Sequence, residues 1–203
     1  MKKVKIAVLV SGGGTNLQAL IDAEKNGIIK NGEISLVISN KAGVYSLERA
    51  KNADIKSLII TKKDCGGIDE FCDKLIKILN ENKIELIILA GFLSILNKKF
   101  TDTFKDRIIN VHPSLIPSFC GVGYYGLKVH EEALTYGVKV TGATVHYVNE
   151  VADGGKIIMQ KAVPVLDGDT PEILQKRVME QAEWIILPLA TEKLCEEIIN
   201  DKK

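Results

Sequence analysis

Residues 4–10 form an unbroken, β-branched-rich apolar run that ends in Ser11, Gly12, Gly13 and Gly14, and residues 16–26 then carry helical periodicity. This unit recurs. Residues 34–39 read as a strand and 45–52 as a helix, 57–60 as a strand and 68–81 as an amphipathic helix, and 85–90 as a fourth, almost wholly apolar strand. A strand wetted on one face alternates polar and apolar side chains; these do not, so both of their faces must be covered. Such strands, separated by helices, specify an α/β fold: a doubly wound, mostly parallel sheet with helices on both faces.

Beyond residue 104 the rhythm changes. Residues 107–111 read as a short strand that runs into a proline-, glycine- and aromatic-rich stretch, 112–126, long enough to suggest a functional loop. Residues 139–149 alternate, with Val140, Gly142, Thr144, His146 and Val148 on one side, and are expected to pair antiparallel with 156–163 across Asp153-Gly154-Gly155. That hairpin makes a C-terminal antiparallel extension of the same sheet. Thr170 as cap and Pro171 at the first helical position open the final helix. With 203 residues, 46% of them hydrophobic, and no repeat or linker, the expectation is a single domain over 1–203.

Charge narrows the partners. Lys and Arg number 27 against 26 Asp and Glu, a net +1, which gives no global field for a polyanion or an anionic bilayer, so neither nucleic acid nor membrane is expected. The first apolar run is too short to span a bilayer, and Cys65, Cys72, Cys120 and Cys195 lack C-x-x-C spacing and read as reduced thiols. Both point to a cytoplasmic location. Monomer and homodimer stay open.

Three segments carry residue types suited to chemistry. Ser11-Gly12-Gly13-Gly14-Thr15-Asn16 lies between the first strand and helix, where glycines admit an anion to unpaired helix N–H groups. It matches neither common nucleotide-binding signature, and a tight turn capped by Thr15 or Asn16 is the plainer alternative. In Asn110-Val111-His112-Pro113-Ser114, residues two apart share a strand face, so Asn110 and His112 project together: an amide donor beside an imidazole, suited to an oxyanion and a proton. Asp153 is either a hairpin-turn residue or the partner of His112, whose charged form a carboxylate favours. His146 reads as a packed, hydrogen-bonded histidine and His130 as a solvated one among charged helix residues. The three histidines do not cluster in sequence, and no metal is assigned.

Taken in order, residues 11–16, Ser39-Asn40-Lys41-Ala42, Leu89-Ala90-Gly91-Phe92, residues 110–115, Thr144-Val145-His146 and residues 153–155 resemble the folate-dependent formyltransferase family, its glycinamide ribonucleotide branch above all. The resemblance covers essentially the whole chain. It implies transfer of the formyl group of 10-formyltetrahydrofolate, as cosubstrate, to the amine of 5-phosphoribosylglycinamide in purine synthesis. Asn110, His112 and Asp153 would be catalytic; Gly14, Thr15, Asn16 and Glu183 would hold the phosphate and ribose. Phe92, Leu93, Ser94, Ile95, Leu96, Asn110, Asn149, Glu150, Val151, Ala152 and Asp153 would line the folate pocket. Ser94 stands where many members carry arginine, and Ile68 lies where others have a basic residue near the folate tail. The longer segment 120–127 would either close over the phosphoribosyl group or be a surface loop. A formyltetrahydrofolate hydrolase, with water replacing the amine, and a nucleotide-binding module without chemistry are the alternatives.

Overall fold

The structure, a computed structural model, describes residues 3–202. Along the chain run β1 (Val4–Val10), α1 (Thr15–Lys25), β2 (Gly32–Ser39), α2 (Tyr45–Asn52), β3 (Ser57–Ile59), α3 (Lys62–Cys65), α4 (Ile68–Glu81), β4 (Leu86–Leu89) and α5 (Lys98–Thr103). There follow β5 (Ile108–His112), α6 (Leu127–Tyr136), β6 (Val140–Tyr147), β7 (Ile157–Pro164), α7 (Pro171–Val178), a widened π-helical turn (Met179–Glu183) and α8 (Trp184–Asn200).

The strands form one seven-stranded sheet in the order β3-β2-β1-β4-β5-β6-β7. It is parallel from β3 through β5, then antiparallel across β5–β6 and β6–β7. The period of two along β1 explains why both faces must be covered. Ile6, Val8 and Val10 enter a core shared with Leu17 and Leu20 of α1 and Leu187 and Leu194 of α8. Ala7 and Leu9 enter the other core, with Phe71, Leu75 and Leu79 of α4 and Phe100 of α5. Each large side chain taken out of water in this way stabilises the fold by roughly 1.5–3 kcal/mol.

From β1 the chain builds outward to β2 and β3, then crosses over to β4 on the far side of β1. The turns leaving β1 and β4 therefore diverge, which opens a crevice at their carboxyl ends. The late hairpin pairs as expected, Val140 with Pro164 through His146 with Ile157, and a bulge between Val145 and His146 bends it. Thr170 Oγ1 accepts the Ile173 N–H as the cap of α7. The final helix departs from a single rod, because the π-helical turn at 179–183 resets its phase before α8.

Candidate active site

The turn from β1 to α1 is held from behind by α2. Gly14 has φ +72°, and a Cβ there would lie 2.6 Å from Ser46 Cβ and 3.0 Å from Ser46 Cα, so glycine alone fits. Ser46 N–H donates to the Gly12 carbonyl at 3.2 Å and Arg49 Nε to the Gly13 carbonyl at 2.8 Å. Neither Thr15 nor Asn16 caps α1; Gly14 occupies that position without a side-chain bond, leaving the first helical N–H groups to face the crevice. Asn16 turns inward, and its Nδ2 donates to Glu183 Oε2 at 2.7 Å. Burial pushes the Glu183 carboxyl up to about 7 against that hydrogen bond.

The loop after β4 is tied to the same turn, since Ser11 Oγ accepts the Leu93 N–H at 2.8 Å. Ser94 spends its hydroxyl nearby, accepting from Asn40 Nδ2 at 2.6 Å.

Strand register assembles the centre. Asn110 lies opposite His146 and His112 opposite Thr144 on β5 and β6. Ring nitrogen Nδ1 of His146 is 2.8 Å from the Tyr147 carbonyl, which can only accept, so Nδ1 carries the proton and Nε2 takes a hydrogen bond from Asn110 Nδ2 at 3.2 Å. By the same reasoning Nε2 of His112 donates to the Phe119 carbonyl at 2.8 Å, and Nδ1 faces Asp153 Oδ2 at 3.5 Å. Asp153 Oδ1 lies 3.5 Å from His146 Nε2, and its Oδ2 accepts the Gly121 N–H at 2.8 Å. One carboxylate thus sits between two buried histidines. Asp153 adopts φ +54°, a left-handed conformation that aspartate tolerates better than most residues.

Charge follows from these contacts. Burial pushes the Asp153 carboxyl up, but His146, His112 and the Gly121 amide together outweigh it and hold the group below the usual carboxylate range. For His112 burial wins: it pulls the imidazole below its ordinary value against the Asp153 carboxylate and the Phe119 carbonyl. Asp153 is therefore ionised at neutral pH, while burial and that carboxylate pull the His112 proton in opposite directions.

Two cavities meet here. A polar one of about 300 Å3 is lined by Thr15, Asn16, His112, His130 and Glu183 among others. A more apolar one of about 540 Å3 takes its walls from Ser94, Ile95, Leu96, Asn149, Glu150, Val151 and Ala152. Phe92, Leu93, Asn110, Tyr125 and Asp153 border both. All the residues expected at a folate pocket line the apolar cavity. Thr15, Asn16 and Glu183 line the polar one, with Gly14 in the turn behind them.

Some features escaped sequence reasoning. His130 is not solvated: it is 1% exposed. Its neighbours Lys128, Glu131 and Glu132 suggested otherwise, but it lies three residues from both Leu127 and Ala133, on the inward stripe of α6. Segment 120–127 borders both cavities, a placement the sequence left open. Val122, Gly123 and Tyr125 wall the apolar cavity, while Tyr124, Tyr125 and Gly126 wall the polar one.

Residues 4–191 match the formyl transferase family model, and the chain belongs to that family. Among similar proteins is the phosphoribosylglycinamide formyltransferase of Haemophilus influenzae, 44% identical over 185 residues, 91% of this chain and 84% of that protein. The trifunctional purine biosynthetic protein adenosine-3 of Gallus gallus is 48% identical over 188 residues, 93% of this chain, and this chain spans only 18% of its length. The crystal structure of glycinamide ribonucleotide transformylase 1 from Symbiobacterium toebii superposes with a TM-score of 0.90 at 39% identity, covering 96% of this chain and 89% of that one. Among the described residues no helix is long and apolar enough to cross a membrane.

Proposed function

We propose that this chain transfers the formyl group of 10-formyltetrahydrofolate to the amine of 5-phosphoribosylglycinamide. One observation carries the reading: a polar cavity reaching Thr15 and Asn16 at the start of α1 and an apolar cavity share a border at Asn110 and Asp153. That arrangement suits passage of a group between two molecules bound side by side. The phosphate sits on the N–H groups of Gly14, Thr15 and Asn16, whose helix dipole favours an anion, and Glu183 takes the ribose. The pterin occupies the apolar cavity between 92–96 and 149–153.

The amine attacks the formyl carbon, a carbon–nitrogen bond forms, and negative charge gathers on the formyl oxygen. Asn110 has one amide N–H engaged by His146 and a second free to point at that oxygen. His112 Nε2–H is the other donor, and the oxygen replaces the Phe119 carbonyl as its acceptor. The new charge, together with Asp153 at Nδ1, offsets the burial that disfavours the charged form of His112. Asp153 then relays the surplus amine proton, directly or through water, to the folate nitrogen as its bond to the formyl carbon breaks. Two aimed donors supply the polarisation, so the step calls for no metal.

A spectrophotometric assay that omits each substrate in turn tests this. Formyl loss from the folate is expected only with the ribonucleotide present; loss in its absence at a comparable rate would make the protein a hydrolase instead.

A further inference from the structure

The polar cavity contains a buried titratable side chain to which the proposed reaction gives no task. His130 lies one turn into α6, and among the described residues neither of its ring nitrogens has a hydrogen-bond partner. A neutral imidazole presents one N–H and one lone pair, and here both go unmet. Native folds rarely leave such groups unpaired, because desolvating them destabilises the protein unless something else completes them. The ring borders the cavity, so a ligand can supply what the protein does not.

The chemistry of that ligand is narrowed by charge and by a second unmet atom. Burial, reinforced by the neighbouring His112, pulls His130 down to about 4, so the ring is neutral at neutral pH. A neutral ring is a weak partner for a phosphate dianion, which the glycine turn already suits. Asn16 lines the same cavity, and its Oδ1 is likewise buried and unpartnered. The two lining residues therefore hold one N–H, one ring lone pair and one amide oxygen, all covered in this conformation, a set that a small rotation of the side chains would turn to hydroxyl and amide groups rather than ions.

We infer that His130 is a substrate-binding residue that hydrogen-bonds the uncharged middle of the ribonucleotide, a ribose hydroxyl or the glycinamide group between phosphate and amine. This rests on the proposed reaction and assigns a residue to it. The ring's neutrality also serves the neighbouring centre, because a second cation there would oppose protonation of His112 as the formyl oxygen gains charge.

The test uses His130→Leu, which removes both nitrogens at similar volume, and His130→Gln, which restores one donor and one acceptor. In steady-state assays the leucine variant is expected to raise KM for the ribonucleotide about ten-fold, with KM for the folate unchanged, and glutamine to recover part of the loss. Without ligand the leucine variant should melt no lower than wild type, since it buries no unmet polar atoms, yet the ribonucleotide should raise its melting temperature less. An unchanged ribonucleotide KM, or a fall in kcat at unchanged KM, overturns the inference. Should leucine not fold, His130→Phe carries the same comparison. If wild type itself fails to use the ribonucleotide, the proposed reaction falls, and the ribonucleotide-induced melting shift of wild type against variant still decides the role of His130.

Discussion

The two cavities are built by opposite means. Asn16, His112, His130 and Glu183 of the polar cavity sit on α1, β5, α6 and the π-helical turn, and all four are buried. The apolar cavity borrows its walls from loops, and Leu93, Ile95, Val122 and Val151 are 55%, 78%, 94% and 59% exposed in the empty protein. Hydrogen bonds are directional and lose strength with small misalignments, so the side proposed to recognise hydroxyls and an anion has its groups fixed in advance by regular elements. Burial of apolar surface is non-directional, so loops suffice for a flat ring system. The apolar side pays for its looseness when a ligand orders it.

That contrast can be broken in four places. The largest effect is expected at the shared border, where Asn110→Ala should lower kcat by roughly 10²–10³ by deleting an oxyanion donor. Thermal melting should fall modestly, because the half-buried Asn110 also donates to buried His146; near-normal turnover would remove Asn110 from the reaction.

Next comes the pH dependence of stability, where two groups of the polar cavity oppose each other. His130, pulled down to about 4, binds fewer protons folded than unfolded between its ordinary value and 4, so it costs stability as the pH falls through that window. Glu183, raised to about 7, binds more protons folded than unfolded, so its contribution is present below its ordinary value and is lost as the pH rises towards 7. The two contributions are opposite in sign. In melts between pH 4 and 7, His130→Leu should lose less stability on acidification than wild type and Glu183→Gln should lose more. Parallel slopes in the two variants would refute the assignment.

Smaller is the effect expected of Gly14→Ala, about 1–3 kcal/mol from positive φ and collision with Ser46, accompanied by loss of ribonucleotide binding; chemical denaturation and calorimetry read the two. The smallest belongs to the loops. Val122→Ser should leave stability within about 0.5 kcal/mol, given its exposure, while raising KM for the folate a few-fold. A change confined to the ribonucleotide KM would mean that the loop does not serve the apolar side.

What the sequence made legible follows the same division. The limits of α2 and α4 coincide with the periodic segments 45–52 and 68–81, because burial of one face writes itself into spacing. The projection of Asn110 with His112 was legible from a period of two. The approach of Asp153 to both His112 and His146 was not, since it depends on how the hairpin closes: Gly155 packs where a Cβ would lie 1.7 Å from the Tyr147 carbonyl, and the bulge at His146 sets the bend. His130 shows the limit of reading charge before period, because three charged neighbours hid an inward-facing ring. The hold of Phe119 and Gly121 on the centre was invisible, because main-chain carbonyls and amides are the same in every residue.

That hold has a consequence for variation. Phe119 grasps His112 with its carbonyl and Gly121 grasps Asp153 with its amide, and both do so from left-handed backbone, φ +48° and φ +91°, which favours glycine at 121 although no side chain makes either contact. Side chains at 120 and 122 are therefore open to exchange, which would reshape the mouth of the two cavities, whereas losing the glycine between them would disturb the chemical centre beneath.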